Sequence, residues 1–175
     1  MEDTMPDQRR KKTVVLMADD DEGDCLLMKD AVREVFQSED FHCLSDGVRF
    51  MDYLLRRGVY ADTKKFPLPH LILLDLNMPW RNGYRTLKEI RAHPELRAIP
   101  ILIFSTTKEQ ESIEPYYKLG ADSYITEPMS FDNLIKTVKC LSDYWFGIEK
   151  LPPSERLEGI RFCSWMTMMK MTASS

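Results

Sequence analysis

The chain alternates between short apolar runs and longer segments whose apolar residues recur every three or four positions. The short runs are typical of buried strands, and the longer segments are typical of helices with one apolar face. Five runs predict strands, and they cover residues 13–18, 41–44, 70–75, 99–105 and 122–126. A helix is predicted after each strand. The clearest apolar stripe is that of the last helix: Phe131, Leu134, Val138, Leu141 and Trp145.

Five strand-then-helix units predict an open, mostly parallel sheet with helices on both faces, which is a doubly wound α/β fold in a single domain. Asp21 and Asp46 are predicted to cap the first and second helices, because each precedes a helical pattern. The second helix is expected to bury Val48 and Met51, and the fourth to place Ile113 on its apolar face.

Composition and charge narrow the class of protein. The chain has 175 residues and a formal net charge of −4, which argues against bulk binding of nucleic acid. No apolar run reaches the roughly 18 residues of a membrane span, and no signal peptide is indicated. We expect a flexible basic leader (1–12), one domain (13–150) and a partly disordered extension (151–175), in a cytoplasmic protein.

The four cysteines are far apart in the sequence: Cys25, Cys43, Cys140 and Cys163. None of them forms a C-x-x-C pair, so the spacing indicates neither a zinc site nor a disulfide framework. A reducing compartment suits this pattern.

Acids, an amide and hydroxyls stand at the carboxyl ends of the predicted strands: Asp19, Asp20 and Asp21 at the first, Asp75 and Asn77 at the third, Ser105, Thr106 and Thr107 at the fourth, and Thr126 and Glu127 at the fifth. Ligands of such sheets bind outside the carboxyl ends of the strands. Oxygen ligands suit Mg²⁺, with Asp20 and Asp75 binding directly and Asp19 through water. The acid run alone would favour a capped helix start, but Asp75 and Ser105 at matching ends favour a metal site.

No glycine-rich phosphate loop precedes a helix, so nucleotide binding is disfavoured. The three histidines are scattered and are expected to be structural or exposed. A carboxylate beside a magnesium ion can attack phosphorus, and Asp75 is the best candidate for that role.

Four segments resemble the sequence blocks of two-component response regulator receiver domains: "MADDDEGD", "LILLDLNMPWRNG", "IPILIFSTT" and "GADSYITEP". The resemblance covers residues 13 to about 146 and implies a flavodoxin-like fold of five β/α units. It implies that Asp75 is the phosphoryl acceptor, that Asp19 and Asp20 are the acid pair, and that Asn77 offers its backbone carbonyl to Mg²⁺. It also implies that Ser105 is the switch hydroxyl and Tyr124 the aromatic switch.

The segments "GVYADTKKFPLPH" and "DYWFGIEKLPP" resemble the stand-alone receivers that partner phytochrome-type histidine kinases. The resemblance to receiver domains in general implies a cis peptide bond before Pro128. The family resemblance also favours a homodimer through the fourth helix, fifth strand, fifth helix and the extension. The aromatic cluster Tyr144, Trp145 and Phe146 also favours a dimer. One departure is Glu127, which stands where the family has lysine.

Two classes of function therefore stay open. The first is a phosphoacceptor, not an enzyme, that takes a phosphoryl group from a sensor histidine kinase onto Asp75 with Mg²⁺ and then alters its contacts with other proteins. The second is a pseudo-receiver that binds partners without phosphorylation, which Glu127 favours. A metal-dependent hydrolase is disfavoured, because no second base is indicated.

Overall fold

A computed structural model describes residues 13–37, 40–78, 82–105 and 113–145. The strands are β1 (Val15–Ala18), β2 (Phe41–Leu44), β3 (Leu71–Leu74), β4 (Ile101–Ser105) and β5 (Ser123–Thr126). The helices are α1 (Glu22–Phe36), α2 (Gly47–Leu54), α3 (Gly83–Ala92), α4 (Glu114–Lys118) and α5 (Phe131–Trp145), and single 3₁₀ turns cover Gly58–Tyr60 and Pro94–Leu96. The predicted leader (1–12) and extension (151–175) lie outside the described residues.

The five strands form one parallel sheet in the order β2-β1-β3-β4-β5. The prediction of a flavodoxin-like doubly wound sheet is confirmed. The strand order reverses between β1 and β3, where ligands of such sheets bind. Ala18 pairs with Leu74, so that the residues after β1 and β3 reach the carboxyl edge side by side.

The core has two layers because successive strand residues point to opposite faces of the sheet. Leu16 and Ala18 pack on the face covered by α2 and α3, and Val15 and Met17 pack on the face covered by α1 and α5. All four residues are fully buried. Burial on both faces explains why the strands appear as continuous apolar runs instead of alternating patterns.

Both predicted N-caps are confirmed. The carboxylate of Asp21 accepts hydrogen bonds from the backbone N–H groups of Gly23 and Asp24, at 2.7 and 3.1 Å. Asp46 does the same for the first turn of α2. These bonds satisfy backbone donors that have no partner within the helix. Asp21 is therefore committed to α1, which leaves Asp19 and Asp20 for other roles.

Some predictions of which helix residues are buried were wrong. Val48 is 60% exposed, because α2 instead buries Phe50 and Tyr53. Ile113 precedes the short helix α4 and is 45% exposed. Along α5 the buried face includes Tyr144, while Phe131 is 38% exposed, because α1 lies against that face of α5.

The expected cis bond before Pro128 is also wrong. Every peptide bond among the described residues is trans. The trans isomer is intrinsically favoured by about 0.5–1 kcal/mol, and Glu127 keeps a backbone hydrogen bond of 3.0 Å to the carbonyl of Ser105.

The prediction of no disulfide, which was made from the spacing of the cysteines in the sequence, was also wrong. Cys25 and Cys43 form a disulfide bond, with their Cα atoms 5.9 Å apart. The pair arises from tertiary structure, since the first turns of α1 lie beside β2, and a search for C-x-x-C spacing does not detect such an approach. Cys140 is a partly exposed thiol, and Cys163 lies outside the described residues.

Candidate metal and phosphoacceptor site

Three carboxylates meet at the carboxyl edge of the sheet. Asp19, Asp20 and Asp75 each offer an oxygen atom, and these three atoms lie within 4.8 Å of one another. Asp19 and Asp75 are 5% and 8% exposed, whereas Asp20 is exposed. The register of β1 and β3 causes this approach, and the backbone N–H of Asp75 donates to the carbonyl of Ala18 at 2.9 Å.

Asp19 is held from two directions. Its backbone N–H donates to the carbonyl of Leu44 at 3.1 Å, which ties it to the end of β2. Its carboxylate accepts a hydrogen bond from the backbone N–H of Asp21 at 2.8 Å. The acid is therefore fixed by the sheet on one side and by the start of α1 on the other.

A glycine allows α3 to begin close to Asp75. A Cβ atom at Gly83 would lie 2.6 Å from the carbonyl oxygen of Asp75 and 3.0 Å from the Cα of Leu76. Both contacts involve backbone, which cannot move aside cheaply. Glycine at this position therefore lets α3 begin directly against the backbone of Asp75 and Leu76.

Burial and mutual repulsion disfavour the ionised carboxylates. Burial raises the pKa of Asp19 to about 7; the hydrogen bond from Asp21 opposes this rise, and the charge of Asp75 adds to it. Burial also raises the pKa of Asp75, although hydrogen bonds from the backbone N–H groups of Asn77 and Leu76 lower it in part. A divalent cation would relieve this repulsion. Hard oxygen donors of this kind fit Mg²⁺ and related ions.

The other candidate residues border the same edge. Ser105 is 1% exposed at the end of β4, and its hydroxyl accepts a hydrogen bond from Nδ2 of Asn77 at 3.4 Å. Tyr124 lies in β5, half-buried, opposite Ile103 of β4. Its ring centre is 6.4 Å from that of Tyr116, and its backbone N–H donates to the hydroxyl of Tyr117. The two candidate switch residues thus lie on neighbouring strands.

Glu127 follows β5 and faces the acids. Its pKa is raised to about 7, first by burial and then by the charge of Asp24 and a side-chain hydrogen bond with Asp24; Asp19 and Asp75 add to the rise. Glu127 and Asp24 both line a pocket of about 100 Å³ between α1 and the start of α5. The position therefore extends the acidic cluster instead of neutralising it.

Sequence reasoning missed Asp24. Its position in the first turn of α1, three residues after the cap Asp21, was a signal that could have indicated that it lies near the acids at the end of β1. Thr106 and Thr107 lie outside the described residues, and so does Lys108, the lysine next to them in the sequence, which could replace the expected lysine.

The comparisons with known proteins agree with this geometry. A family model described as the response regulator receiver domain matches residues 15–139. The response regulator Rcp1 of Synechocystis sp. is 29% identical over 148 residues, which are 85% of this chain and 99% of Rcp1.

Solved structures show the same similarity. The phosphorylated cyanobacterial phytochrome response regulator RcpA superimposes with a TM-score of 0.72 and 30% identity, covering 81% of this chain and 99% of RcpA. The Mn²⁺-bound form of Rcp1 superimposes with a TM-score of 0.68 and 29% identity, covering 80% and 99% of the two chains. None of the described helices is long and apolar enough to cross a membrane.

Proposed function

The chain belongs to the family of response regulator receiver domains, and we propose that it is a stand-alone, cytoplasmic response regulator that accepts a phosphoryl group on Asp75. The observation that carries this proposal is the convergence of Asp19, Asp20 and Asp75 at the point where the strand order reverses. The phosphoryl donor is the phosphohistidine of a sensor kinase.

In this proposal the roles of the residues follow from their positions. An oxygen of Asp75 attacks the phosphorus atom, and the histidine nitrogen of the donor leaves. Asp20, Asp75 and the backbone carbonyl of Asn77 would hold Mg²⁺, and Asp19 would contribute through water. The ion, when bound, offsets the negative charge of the cluster and of the phosphoryl group. The protein is thus a phosphoacceptor and not an enzyme with a separate substrate.

The signal is then a population shift. Ser105 is buried at the end of β4, the strand beside the one that leads to Asp75, and Tyr124 lies on the adjacent strand β5. Phosphorylation favours a conformation in which both side chains move, and the α4, β5 and α5 face changes its affinity for partners. No nucleic acid or membrane takes part.

We further propose that the partner kinase is of the phytochrome type. Support comes from RcpA, which is described as a cyanobacterial phytochrome response regulator, and from the coverage of nearly its whole length by this chain. We also propose a homodimer through α4, β5, α5 and the extension that follows.

The alternative of a pseudo-receiver gains no support from the comparisons. Glu127 is the feature that favoured it, yet the acid pair and Asp75 lie close together, and a buried hydroxyl, Ser105, ends the neighbouring strand β4. We therefore propose that the protein still signals by phosphorylation of Asp75, and that Glu127 makes this phosphorylation slower.

The test is incorporation of a phosphoryl group from a small acyl phosphate in the presence of Mg²⁺. We expect labelling of the wild type that is lost in Asp75→Asn and retained in Asp30→Asn, an exposed acid on α1 that serves as the matched control. Labelling that persists in Asp75→Asn, or that needs no divalent cation, would contradict the proposal.

A further inference from the structure

The disulfide between Cys25 and Cys43 lies beside the acidic site, and the proposed function does not use it. The 5.9 Å between the two Cα atoms is in the usual range for disulfides. Both residues are partly exposed, so small oxidants and reductants can reach them. The question is whether this bond only holds the fold together or also acts on the site.

Both cysteines are next to groups that hold Asp19. The Sγ of Cys25 is 3.7 Å from the backbone carbonyl of Asp19. Cys43 pairs with Met17 in the sheet, and its neighbour Leu44 accepts the backbone hydrogen bond of Asp19. The disulfide therefore joins the two elements, α1 and β2, between which Asp19 is fixed.

We propose that Cys25 and Cys43 are a reversible oxidation site that controls how firmly Asp19 is held, and through it the affinity for a divalent cation. The reversibility of the bond rests on the cytoplasmic location in the proposed function, and the effect on the cation rests on its metal site. Disulfides in reducing compartments are usually transient or sense redox state, and one so close to candidate metal ligands suits that use.

The chemistry balances with a peroxide as the oxidant. One thiolate attacks a peroxide oxygen and breaks the O–O bond, which gives a sulfenic acid. The second thiol then attacks that sulfur, the S–S bond forms, and water leaves. Two thiols and hydrogen peroxide thus yield one disulfide and two waters. A small dithiol reverses the reaction by exchange, becoming a disulfide itself while both cysteines regain their protons.

The disulfide bond restricts the motion of the backbone at the start of α1. The bond spans 18 residues of sequence, from the first turns of the helix to β2. In the disulfide form α1 cannot move away from β2, so that the segment from Asp19 to Asp21 keeps its hydrogen bonds. In the dithiol form the segment keeps the backbone bond to Leu44, the bond from Asp21 to the Asp19 carboxylate and the cap, but it loses the covalent link between α1 and β2.

The experiment compares the full chain treated with hydrogen peroxide and with a dithiol, after removal of each reagent. Peptide mapping after alkylation identifies the linked pair. Hydrogen exchange of the backbone from Leu16 to Asp24 reports how firmly Asp19 is held, and a Mg²⁺ titration reports the affinity of the site. The variants are Cys25→Ser, Cys43→Ser and, as matched control, Cys140→Ser, which removes another partly exposed thiol.

We expect a Cys25–Cys43 link in the oxidised protein, slower exchange around Asp19 and about tenfold tighter binding of Mg²⁺, the lower end of what outer contacts to metal ligands contribute. Cys140→Ser should respond like the wild type, and the other two variants should not respond. The reduced wild type provides the same comparison without any mutation, should a variant fold poorly.

Three results would overturn the inference: a link between other cysteines, equal exchange around Asp19 in both redox states, or equal Mg²⁺ affinity in both. Failure of the proposed function looks different, since Mg²⁺ would then bind in neither state. In that case hydrogen exchange alone would still decide whether the disulfide controls Asp19.

Discussion

Glu127 and Asp24 line the same pocket, although one follows β5 and the other belongs to the first turn of α1. Burial and the nearby charge of Asp24 raise the pKa of Glu127 to about 7, and the charges of Asp19 and Asp75 add to the rise. Glu127 therefore lies within the field of the other acids. A phosphoryl group arriving on Asp75 would therefore meet another acid where the family has a cation.

Glu127→Lys should increase phosphoryl uptake by Asp75. A charge-assisted hydrogen bond from lysine to the phosphoryl group is worth about 1.5–3 kcal/mol, and about 1.4 kcal/mol corresponds to tenfold in a rate or an equilibrium. We expect an increase of about tenfold in labelling by a small acyl phosphate with Mg²⁺. Glu127→Gln is the matched control, because it removes the negative charge without supplying a cation, and it should give a smaller increase.

Ranking the wild type, Glu127→Gln and Glu127→Lys by their phosphoryl uptake tests whether the missing lysine limits phosphorylation. If the wild type is labelled rapidly and stably at Asp75, and neither variant improves on it, the missing lysine is immaterial in this chain. If Glu127→Gln equals Glu127→Lys, repulsion by the acid limits uptake and the absence of a cation does not.

Asp20→Asn should weaken binding of Mg²⁺ by about tenfold or more, because the amide removes a charged ligand from a site built on three carboxylates. Calorimetric titration of the reduced protein measures the affinity directly. Glu22→Gln is the matched control, since Glu22 is an exposed acid two residues away in α1. Equal affinities for Asp20→Asn and the wild type would remove Asp20 from the metal site.

The fold followed from patterns that act over short distances in the sequence. Asp21 and Asp46 are caps because their side chains reach backbone groups two and three residues ahead, and nothing remote can change that. Which face of a helix is buried depends instead on its neighbours. Val48 fitted the apolar stripe of α2, but the aromatic cluster around Tyr53 and Phe66 turns another face inwards.

The site followed from the sequence only in part, for the same reason. Asp19, Asp20 and Asp75 could be predicted to meet, because parallel strands bring their carboxyl ends to one edge. The approach of Glu127 to Asp24 across their shared pocket depends on how α1 lies against the start of α5, which no pattern in the sequence specifies. The pairing of Cys25 with Cys43 depends likewise on the approach of α1 to β2.

Without a divalent cation, the free energy of unfolding should decrease as the pH rises from about 4 to about 7. The pKa of Asp19 is raised from 3.8 to about 7 and that of Glu127 from 4.5 to about 7, so the folded state binds more protons than the unfolded state across this window. Stability therefore falls as these protons are lost. Mg²⁺ should flatten the dependence, because it favours the ionised acids.

Denaturant unfolding at several pH values, with a chelator or with Mg²⁺, measures this dependence. Glu127→Gln should reduce the slope in the chelator and leave the curve in Mg²⁺ nearly unchanged. A stability that rises with pH between 4 and 7 in the chelator would contradict the assignment of raised pKa values to these acids.

Arg91→Met should destabilise the fold by about 2–3 kcal/mol and leave the metal site intact. The guanidinium bonds Asp122 at 3.0 Å and donates to backbone carbonyls, including those of Gly120 and Ile99. Removing one partner of a buried pair costs about 3–5 kcal/mol, and the 15% and 26% exposure of the two side chains lowers that figure.

Asp122 precedes β5, so the pair lies at the amino edge of the sheet, opposite to the acids. Mg²⁺ affinity should therefore be unchanged in Arg91→Met, and Asp122→Asn in the same chain should recover part of the loss by removing the unpaired charge. Denaturation midpoints measure the first effect. A loss of Mg²⁺ binding without a loss of stability would show that the pair acts on the site.

The homodimer is best tested at α4, because the apolar residues that the structure leaves exposed for a dimer contact differ from those that the sequence suggested. Tyr144 is only 9% exposed and packs within its own domain, so it cannot supply the contact that the aromatic cluster suggested. Ile113 and Tyr117, at 45% and 37% exposure, remain on the proposed α4, β5 and α5 surface.

Ile113→Lys places a charge there and should shift the full chain from dimer to monomer in sedimentation at micromolar concentration. Val59→Lys is the matched control, since Val59 is 78% exposed beyond α2, and it should sediment like the wild type. A wild type that sediments as a monomer, or a dimer that neither substitution weakens, would exclude this surface as the dimer contact.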